Sequence, residues 1–349
     1  MARRPYRVEV DYPQKKSPRY FLVRDVRVGK KRTKVKRYLC SGMTPPSVED
    51  IEHYRKIYSY DLEIKAAKSA GKLGVDIYKT TYLSKDYVDV IEEIRYLYKR
   101  FTESLTVNEL EQYEKYFEIH YVHGTTAIEG NTLSLGETED LLLYGIPPKS
   151  KNMREIYEVQ NFKKVKKYRD EYKGKVNIDF IKNLHAIIMQ NIDNESAGSF
   201  RKADDIGIGG CDLRVCPSLE IKSELGKIIR IYYERIHEGY HPFEEAIMFH
   251  YFFEMIHPFS DGNGRVGREI FNFMLMKDRY PKLLFLGEAR DKFVKALKLG
   301  NEEKYVEMNE YFAEIINDQR LEILRSRIKA YIEEPEKTGQ LTLQSFVSI

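Results

Sequence analysis

The twelve residues His257–Arg268, HPFSDGNGRVGR, combine side chains and backbone suited to phosphate chemistry. The glycine-rich turn at 262–264 lets successive backbone N–H groups point into one concavity, where they can bind an anion. A helix predicted to begin there adds the positive end of its dipole. Arg265 and Arg268 are three residues apart and share one face of the first turn. This spacing predicts a binding site for a polyphosphate.

One carboxylate and one imidazole accompany this predicted phosphate site. Asp261 places a lone acid beside the arginines, and Mg²⁺ prefers one or two carboxylates together with phosphate oxygens and water. His257 stands just before the turn and can accept a proton near neutral pH. Each feature alone is more often structural than functional. Their joint occurrence predicts attack of a hydroxyl on a phosphorus atom.

Two core helices are predicted to hold this loop in place. Residues 243–256 are apolar nearly all round after the first turn, which is typical of a helix in the middle of a bundle. A second helix is predicted over about 265–278, and rigid elements on both sides would fix the loop. His250, Glu254 and His257 also have the spacing of metal ligands on a helix. The apolar surroundings of His250 favour a core histidine instead.

The loop resembles the signature of the Fic family, HPFx[D/E]GNGRxxR, at every fixed position. The resemblance covers roughly residues 110–315 and implies that His257 deprotonates a target hydroxyl. It also implies that Asp261 holds Mg²⁺ and that Arg268 orients the γ-phosphate of ATP. The implied fold is mainly α, a helical bundle with a small β-hairpin flap. The nucleotide-binding residues that the resemblance implies are Gly262, Asn263, Gly264, Arg265 and Arg268 and, from a looser match, Phe293 and Asn301.

Residues 198–217 interrupt the helical pattern with four of the 21 glycines and a short β-like run. They predict a small hairpin projecting from the helical body. In the Fic family a flap at this place clamps the target segment. The resemblance therefore implies a target-binding role for Ile206, Gly207, Ile208 and Gly209.

A second segment, TTAIEGN at 125–131, resembles the family's inhibitory motif, [S/T]xxxE[G/N]. The resemblance implies an inhibitory helix near 118–130, upstream of the catalytic residues. Glu129 would form a charge-assisted pair with Arg268 and so deny that guanidinium to the γ-phosphate. The pattern TxxxE on its own also fits an ordinary helix cap. The catalytic motif in the same chain favours inhibition.

The composition is that of a soluble globular protein, with 42% hydrophobic and 32% charged residues. No stretch approaches the ~20 apolar residues of a membrane span, and the first residues lack the apolar region of a signal peptide. Three cysteines are too few and too scattered for a disulfide framework. We therefore expect a cytoplasmic protein that has no membrane contact.

The charge is distributed unevenly along the chain. Residues 1–40 hold 14 Lys+Arg and 3 Asp+Glu, whereas the remainder holds 44 Lys+Arg and 51 Asp+Glu. Alternating residues around a turn at 29–31 predict a β-hairpin in this basic arm. An anionic partner such as nucleic acid would explain its charge, and so would a solvated hairpin without a partner. The predicted parts are the arm at 1–43, a helical region at 44–109, the catalytic core at 110–317, and a C-terminal helix and tail at 318–349.

Three functions are compatible with these patterns. The first is an autoinhibited adenylyltransferase that moves AMP from ATP to a Tyr, Thr or Ser hydroxyl of target proteins and of itself, releasing pyrophosphate. The second is a Fic enzyme that uses another donor, such as UTP or a choline-bearing diphosphate, or that removes AMP. The third is a nucleic-acid-binding regulator acting through the basic arm. Intact His257, Asp261 and Arg268 argue against an inactive core.

Overall fold

The computed structural model describes residues 6–204, 215–287 and 290–333. Within these ranges the chain forms three strands and eleven α-helices, which confirms the prediction of a mainly α protein. The strands are β1 (Arg7–Asp11), β2 (Arg19–Val28) and β3 (Lys31–Ser41). The helices are α1 (Val48–Ile77), α2 (Lys85–Ser104), α3 (Val107–Ala127), α4 (Leu135–Leu143), α5 (Met153–Glu171), α6 (Ile178–Ile188), α7 (Ile221–His237), α8 (Pro242–Ile256), α9 (Asn263–Lys277), α10 (Arg290–Asn301) and α11 (Tyr305–Glu333). No helix in the described ranges is both long and apolar enough to cross a membrane.

The chain divides into two compact units. The first contains the chain up to Lys79, residues Leu83–Leu110 and the chain from Ala313. The second contains Thr80–Tyr82 and Glu111–Phe312. The predicted arm and the helical region after it therefore share one unit. Helix α11 runs through the boundary predicted between residues 317 and 318.

The N-terminal sheet is antiparallel with the strand order β1-β2-β3. The predicted hairpin is present as β2 and β3, and β1 adds a third strand that the sequence reading missed. β1 has only five residues and mixes valines with charges, so its alternation is a weak signal without its partner strand. Leu22 and Val26 of β2 are fully buried, in clusters with Leu62 and Ala66 of α1. The sheet is therefore part of a hydrophobic core and not a free arm.

The buried carboxylate of Glu63 connects the sheet to α1 and α2. It accepts hydrogen bonds from the hydroxyls of Tyr6 and Tyr96, each at 2.8 Å. Its ion pairs with Arg24 and Arg100 measure 3.2 and 3.3 Å. Burial and the neighbouring carboxylate raise the pKa of both tyrosines, so both hydroxyls stay protonated and can donate. These partners offset the cost of removing a charge from water.

In the second unit, α8 is buried nearly all round, as its sequence predicted. Of its fifteen residues, Phe252 and Met255 are the two that are not buried. The helix lies against α9 at Gly267, where any side chain would overlap the carboxyl of Glu254. This close approach sets the distance between the two helices that flank the predicted phosphate loop.

A buried ion cluster joins α3, α5 and α9. The guanidinium of Arg169 donates to Glu118 and to Glu269, each at 2.9 Å, and Lys282 donates to Glu118 at 2.6 Å. Two cations therefore face two carboxylates, and each charge has an opposite charge within hydrogen-bond distance. The cluster fixes α3, which runs into the predicted inhibitory motif, against the helix that carries Arg268.

Gly71 offers a test of the close packing between α1 and α2. A Cβ atom at this position would overlap the side chain and the backbone carbonyl of Asp89, so the helices would have to separate. We expect Gly71→Ala to lower the free energy of unfolding by about 1–3 kcal/mol, measured by urea denaturation. Gly226→Ala in α7 is the matched control, because a Cβ atom there meets nothing within 4 Å. The control should gain up to ~1 kcal/mol from helix propensity, and equal effects of the two changes would contradict this account.

Candidate active site

The predicted phosphate loop connects α8 to α9, as the sequence indicated. His257 caps the C-terminus of α8 in the left-handed conformation, with φ of +48°. This conformation is uncommon for residues other than glycine and is found where the surrounding structure enforces it, often at functional sites. Gly262, with φ of +77°, caps the N-terminus of α9. The loop thus begins and ends in backbone conformations that turn the chain sharply.

Arg201 holds the first part of the loop through backbone carbonyls. Its side chain is completely buried and donates to the carbonyl oxygen of His257 at 2.7 Å and to that of Ile256 at 3.3 Å. The same guanidinium donates to the carbonyls of Ala203 and Cys216, which stand on either side of the predicted flap segment. One cation therefore binds the backbone of His257, the predicted base, and the backbone on both sides of residues 206–209.

His185 holds the second part of the loop. Its ring stacks on Phe259, with centroids 3.7 Å apart and planes 2° from parallel. Its Nδ1 accepts from the backbone N–H of Gly198 at 2.8 Å, so Nε2 carries the proton and donates to the carbonyl of Asp261 at 3.0 Å. Burial lowers the pKa of His185 to about 4, which keeps the ring neutral and this pattern intact.

Asn263 closes the loop on itself. Its side-chain amide donates to the carbonyl of Phe259 at 2.8 Å and accepts from the N–H of the same residue at 2.9 Å. The side chain therefore shapes the loop, and its backbone N–H, at the start of α9, remains available for an anion. A direct role of Asn263 toward phosphate stays a prediction.

The imidazole of His257 is partly buried beside this loop. Burial lowers its pKa, and the cation of Arg201 acts in the same direction, whereas the carboxylates of Glu129 and Asp261 oppose both effects. The net result is a pKa below the ordinary value for histidine. His257 is therefore neutral at pH 7 and able to accept a proton.

Asp261 and Arg265 form a charged network with two residues of α5. Arg265 is 2% exposed and lies 3.1 Å from Glu158 and 3.2 Å from Asp261. Asp261 also forms an ion pair with Arg154 and accepts from the N–H of Gly262. Burial alone would raise the pKa of Asp261, but Arg265, this N–H and Arg154 hold it below its usual value. The carboxylate is thus ionised at neutral pH.

The carboxylate of Asp261 is suited to hold a Mg²⁺ ion that also binds the phosphates of a nucleotide. The carboxylate is ionised and its side chain is 41% exposed, so an ion can reach it. The described residues contain no group of three or more His, Cys, Asp or Glu side chains that could hold a metal. A single carboxylate suits Mg²⁺ when phosphate oxygens and water supply the other ligands. The ion would have to displace Arg154 from this carboxylate.

Arg268 is 1% exposed, and its guanidinium is bound by Thr125 of α3 and by Glu129 in the turn after α3. It donates through Nε to the hydroxyl of Thr125 at 2.8 Å and through Nη2 to the carbonyl of Thr125 at 2.9 Å. The third contact is an ion pair from Nη2 to Oε1 of Glu129 at 2.7 Å. Burial alone would raise the pKa of Glu129, but Arg268 holds it below its usual value, so the pair is ionic at neutral pH.

Contacts from several elements place Glu129 at Arg268. Helix α3 ends at Ala127, and Glu129 lies in the turn that follows, two residues beyond the helix. Asn131 anchors that turn, because its side chain donates to the carboxylate of Glu158 at 2.9 Å. Gly264 leaves the space that the ion pair occupies, and any side chain there would overlap the Glu129 carboxylate.

The remaining predicted residues lie in different environments. Phe293 is 5% exposed and packs among aromatic rings, 6.0 Å from the Arg268 guanidinium. Asn301 accepts from the hydroxyl of Tyr251 at 3.1 Å, so its part in an adenine pocket stays a prediction. The predicted flap residues 206–209 lie outside the described residues. His250 is a neutral core histidine, because burial lowers its pKa to about 3.

Four residues of the site were missed by the sequence reading: Arg154, Glu158, His185 and Arg201. They come from α5, α6 and the segment after α6, 56 to 107 positions before their partners in the loop. None belongs to a recognised motif with the loop, and one sequence gives no measure of which distant residues meet. Only Arg201, a lone arginine at the edge of the glycine-rich segment, carried a weak local signal.

The sequence of this chain is similar to those of known proteins. The Fic/DOC family model matches residues 175–275. Protein adenylyltransferase fic-1 of Caenorhabditis elegans is 32% identical over 190 residues, which is 52% of this chain and 36% of that protein. Protein adenylyltransferase Fic of Drosophila willistoni is 30% identical over 196 residues, 54% of this chain and 38% of that protein. The chain therefore spans little more than a third of the length of these relatives.

Solved structures show the same fold. A Fic-domain signaling protein from Bacteroides thetaiotaomicron has a TM-score of 0.62 and 20% identity, over 69% of this chain and 98% of that one. A fragment of Fic-1 from C. elegans has a TM-score of 0.60 and 21% identity, over 82% of this chain and 89% of that one. The signature loop lies within residues 175–275, so this part of the chain is similar to the Fic/DOC family in sequence, and the helical scaffold around it has the fold of the solved Fic proteins.

Proposed function

We propose that this chain is an autoinhibited protein adenylyltransferase that transfers AMP from ATP to a hydroxyl side chain of target proteins and of itself. The observation that supports this proposal most is the ion pair, at 2.7 Å, between Glu129 in the turn after α3 and Arg268 in α9, the helix that follows the loop presenting His257. The names of the relatives, protein adenylyltransferases, support the reaction class.

His257 would act as the general base. Its lowered pKa leaves the imidazole neutral, so it can take the proton of a target hydroxyl as the oxygen attacks the α-phosphorus of ATP. A bond forms between this oxygen and the α-phosphorus. The bond from the α-phosphorus to the bridging oxygen of the β-phosphate breaks, and pyrophosphate leaves with the electron pair.

The phosphate chain would lie over the N-terminus of α9. Backbone N–H groups of 262–264 and the helix dipole favour the anion there. The cation of Arg265 would compensate the charge of the phosphates, and Arg268 would hold the γ-phosphate. Asp261 would hold Mg²⁺, which when bound neutralises charge that develops on the phosphate oxygens.

Glu129 would inhibit the reaction by occupying Arg268. A carboxylate and a γ-phosphate are both anions, and they cannot share the same guanidinium edge at hydrogen-bond distance. With Glu129 in place, the γ-phosphate lacks its partner and the α-phosphorus is not aligned for attack. Glu129 is itself 35% exposed at its side chain, so its departure from Arg268 does not require unfolding of the core.

The proposed inhibition can be tested by replacing Glu129. We expect Glu129→Gly to raise self-modification at least tenfold over wild type, because each ~1.4 kcal/mol of lost ion pairing is a factor of ten in productive binding. The measurement is incorporation of label from α-labelled ATP, with the modified residue located by mass spectrometry. Parallel reactions with GTP, CTP and UTP identify the donor, and release of AMP from labelled protein would identify the reverse activity.

Two variants control this experiment. Glu129→Gln keeps the side-chain shape but removes the charge, so partial activation would separate the ion pair from backbone loosening. The double variant Glu129→Gly/His257→Ala should lose the gained activity, because a general base typically contributes ~10²–10⁴ in rate. Wild-type activity equal to that of both single variants would show that Glu129 does not inhibit.

The role of His257 predicts the pH dependence of the activated variant. The lowered pKa means that the neutral base persists to a lower pH than an ordinary histidine, whose pKa is about 6.5. The kcat/KM of Glu129→Gly should therefore stay constant from pH 8 to about 6.5 and fall only below that value. An acidic limb centred above about pH 7 would rule out His257 as a base with a lowered pKa.

Asp261 is tested through the metal. In the Glu129→Gly background, Asp261→Asn should reduce the Mg²⁺-dependent rate by at least about tenfold, because the ion contributes several kcal/mol of charge stabilisation. The affinity for ATP measured in EDTA should be unchanged or higher, since the lost carboxylate repels phosphate. A variant with normal turnover at low Mg²⁺ concentration would remove Asp261 from the metal site.

A further inference from the structure

The face of the N-terminal sheet that points away from α1 is basic and aromatic. We call it the outer face. Its members are Arg7, Glu9, Asp11, Arg19, Phe21, Val23, Asp25, Arg27, Arg32, Lys34, Lys36, Tyr38 and Ser41, of which Val23 is fully buried. Residues on neighbouring strands lie opposite each other on this face: Phe21 is opposite Tyr38, and Arg27 is opposite Arg32. Side chains two positions apart on a strand lie on the same side, about 6.6 Å apart, so β3 presents a regular row of cations that ends in Tyr38.

The positive charge of the outer face is only partly compensated. It carries six cations and three carboxylates. Glu9 forms ion pairs with Arg7, Lys34 and Lys36 at 2.7, 2.8 and 3.2 Å, and Asp25 pairs with Arg7. In the described part of the chain, Arg27 and Arg32 have no carboxylate within ion-pair distance. The end of the face near the β2–β3 turn therefore keeps its full charge.

Two aromatic rings lie among these cations. Phe21 and Tyr38 meet edge to face, with centroids 5.8 Å apart, and the ammonium group of Lys36 lies 5.5 Å from the Phe21 ring. Tyr38 is 49% exposed, so much of its side chain contacts solvent. An exposed ring beside a row of cations matches the needs of unpaired nucleotides, whose bases stack on aromatic rings while their phosphates meet cations.

We propose that the outer face binds single-stranded nucleic acid, with phosphates at Arg27 and Arg32 and a base stacked at Tyr38. A duplex keeps its bases stacked on each other, so it would gain little from an exposed ring. This surface is separate from the residues assigned to nucleotide transfer, so the proposal does not depend on the proposed function.

The test measures binding of a fluorescein-labelled oligothymidylate of about 20 nucleotides, longer than the ~4–16 that one stacking platform covers. The full chain is titrated in KCl between about 50 and 200 mM, with excess ATP present to block the active site. Arg27→Gln/Arg32→Gln should weaken binding at least tenfold and reduce the salt slope by about 1.4, because each lost phosphate contact contributes ~0.7 for single strands. Tyr38→Ala should weaken binding by about tenfold and leave the salt slope unchanged.

The matched control is Lys149→Gln/Lys222→Gln. Both lysines are exposed, and neither forms an ion pair with a described residue. The control therefore changes the net charge by the same amount as Arg27→Gln/Arg32→Gln does, at sites outside the outer face. The control should bind as wild type does. The proposal is overturned if the oligonucleotide does not bind at 50 mM KCl, or if both double variants lose affinity equally. Equal affinity for the matched duplex, or tighter binding to vesicles of phosphatidylserine that depends on Arg27 and Arg32, would overturn it in favour of another anionic surface.

Discussion

The buried guanidinium of Arg268 requires a partner, and much of the site depends on how that requirement is met. A cation removed from water is costly unless hydrogen bonds and an opposite charge compensate it. Thr125 of α3 accepts two of its hydrogen bonds, and Glu129, in the turn after α3, supplies the opposite charge. A triphosphate would offer the same compensation. Binding of the γ-phosphate and binding of Glu129 are therefore alternatives for one guanidinium, which is the physical basis of the proposed inhibition.

This competition needs α3 and α9 in a fixed relation, and the buried ion cluster provides it. Arg169 holds Glu118 of α3 and Glu269 of α9 at the same distance, 2.9 Å. Glu269 follows Arg268 directly in the chain, so one cluster positions both the arginine and the helix that leads to Glu129. Glu129 itself lies in a turn beyond the helix and is partly exposed. The carboxylate of Glu129 can thus move while α3 remains in place.

The loop between α8 and α9 is rigid for a different reason. Its backbone turns twice through left-handed conformations, at His257 and Gly262. Arg201, His185 and Asn263 bind the backbone of the loop at several points. Such a loop pays little ordering entropy when a nucleotide binds, because its N–H groups already have their orientation.

The sequence by itself determined the elements with local signals. The apolar α8, the glycine-rich turn, and the candidate base and acid were visible, because each lies in a short segment whose residue types and spacing have a physical meaning. The basic β2–β3 hairpin was visible for the same reason. The pairing of Glu129 with Arg268 was implied by the resemblance to the Fic inhibitory motif. Tertiary structure alone decided the rest. Four residues that contact the site lie 56 to 107 positions before their partners in the sequence: Arg154, Glu158, His185 and Arg201. Strand β1 pairs with β2, but its five residues contain no local pattern that predicts the strand. Contacts of this kind form only when the chain has folded, since they follow from the packing of helices and strands and leave no periodic pattern in the sequence.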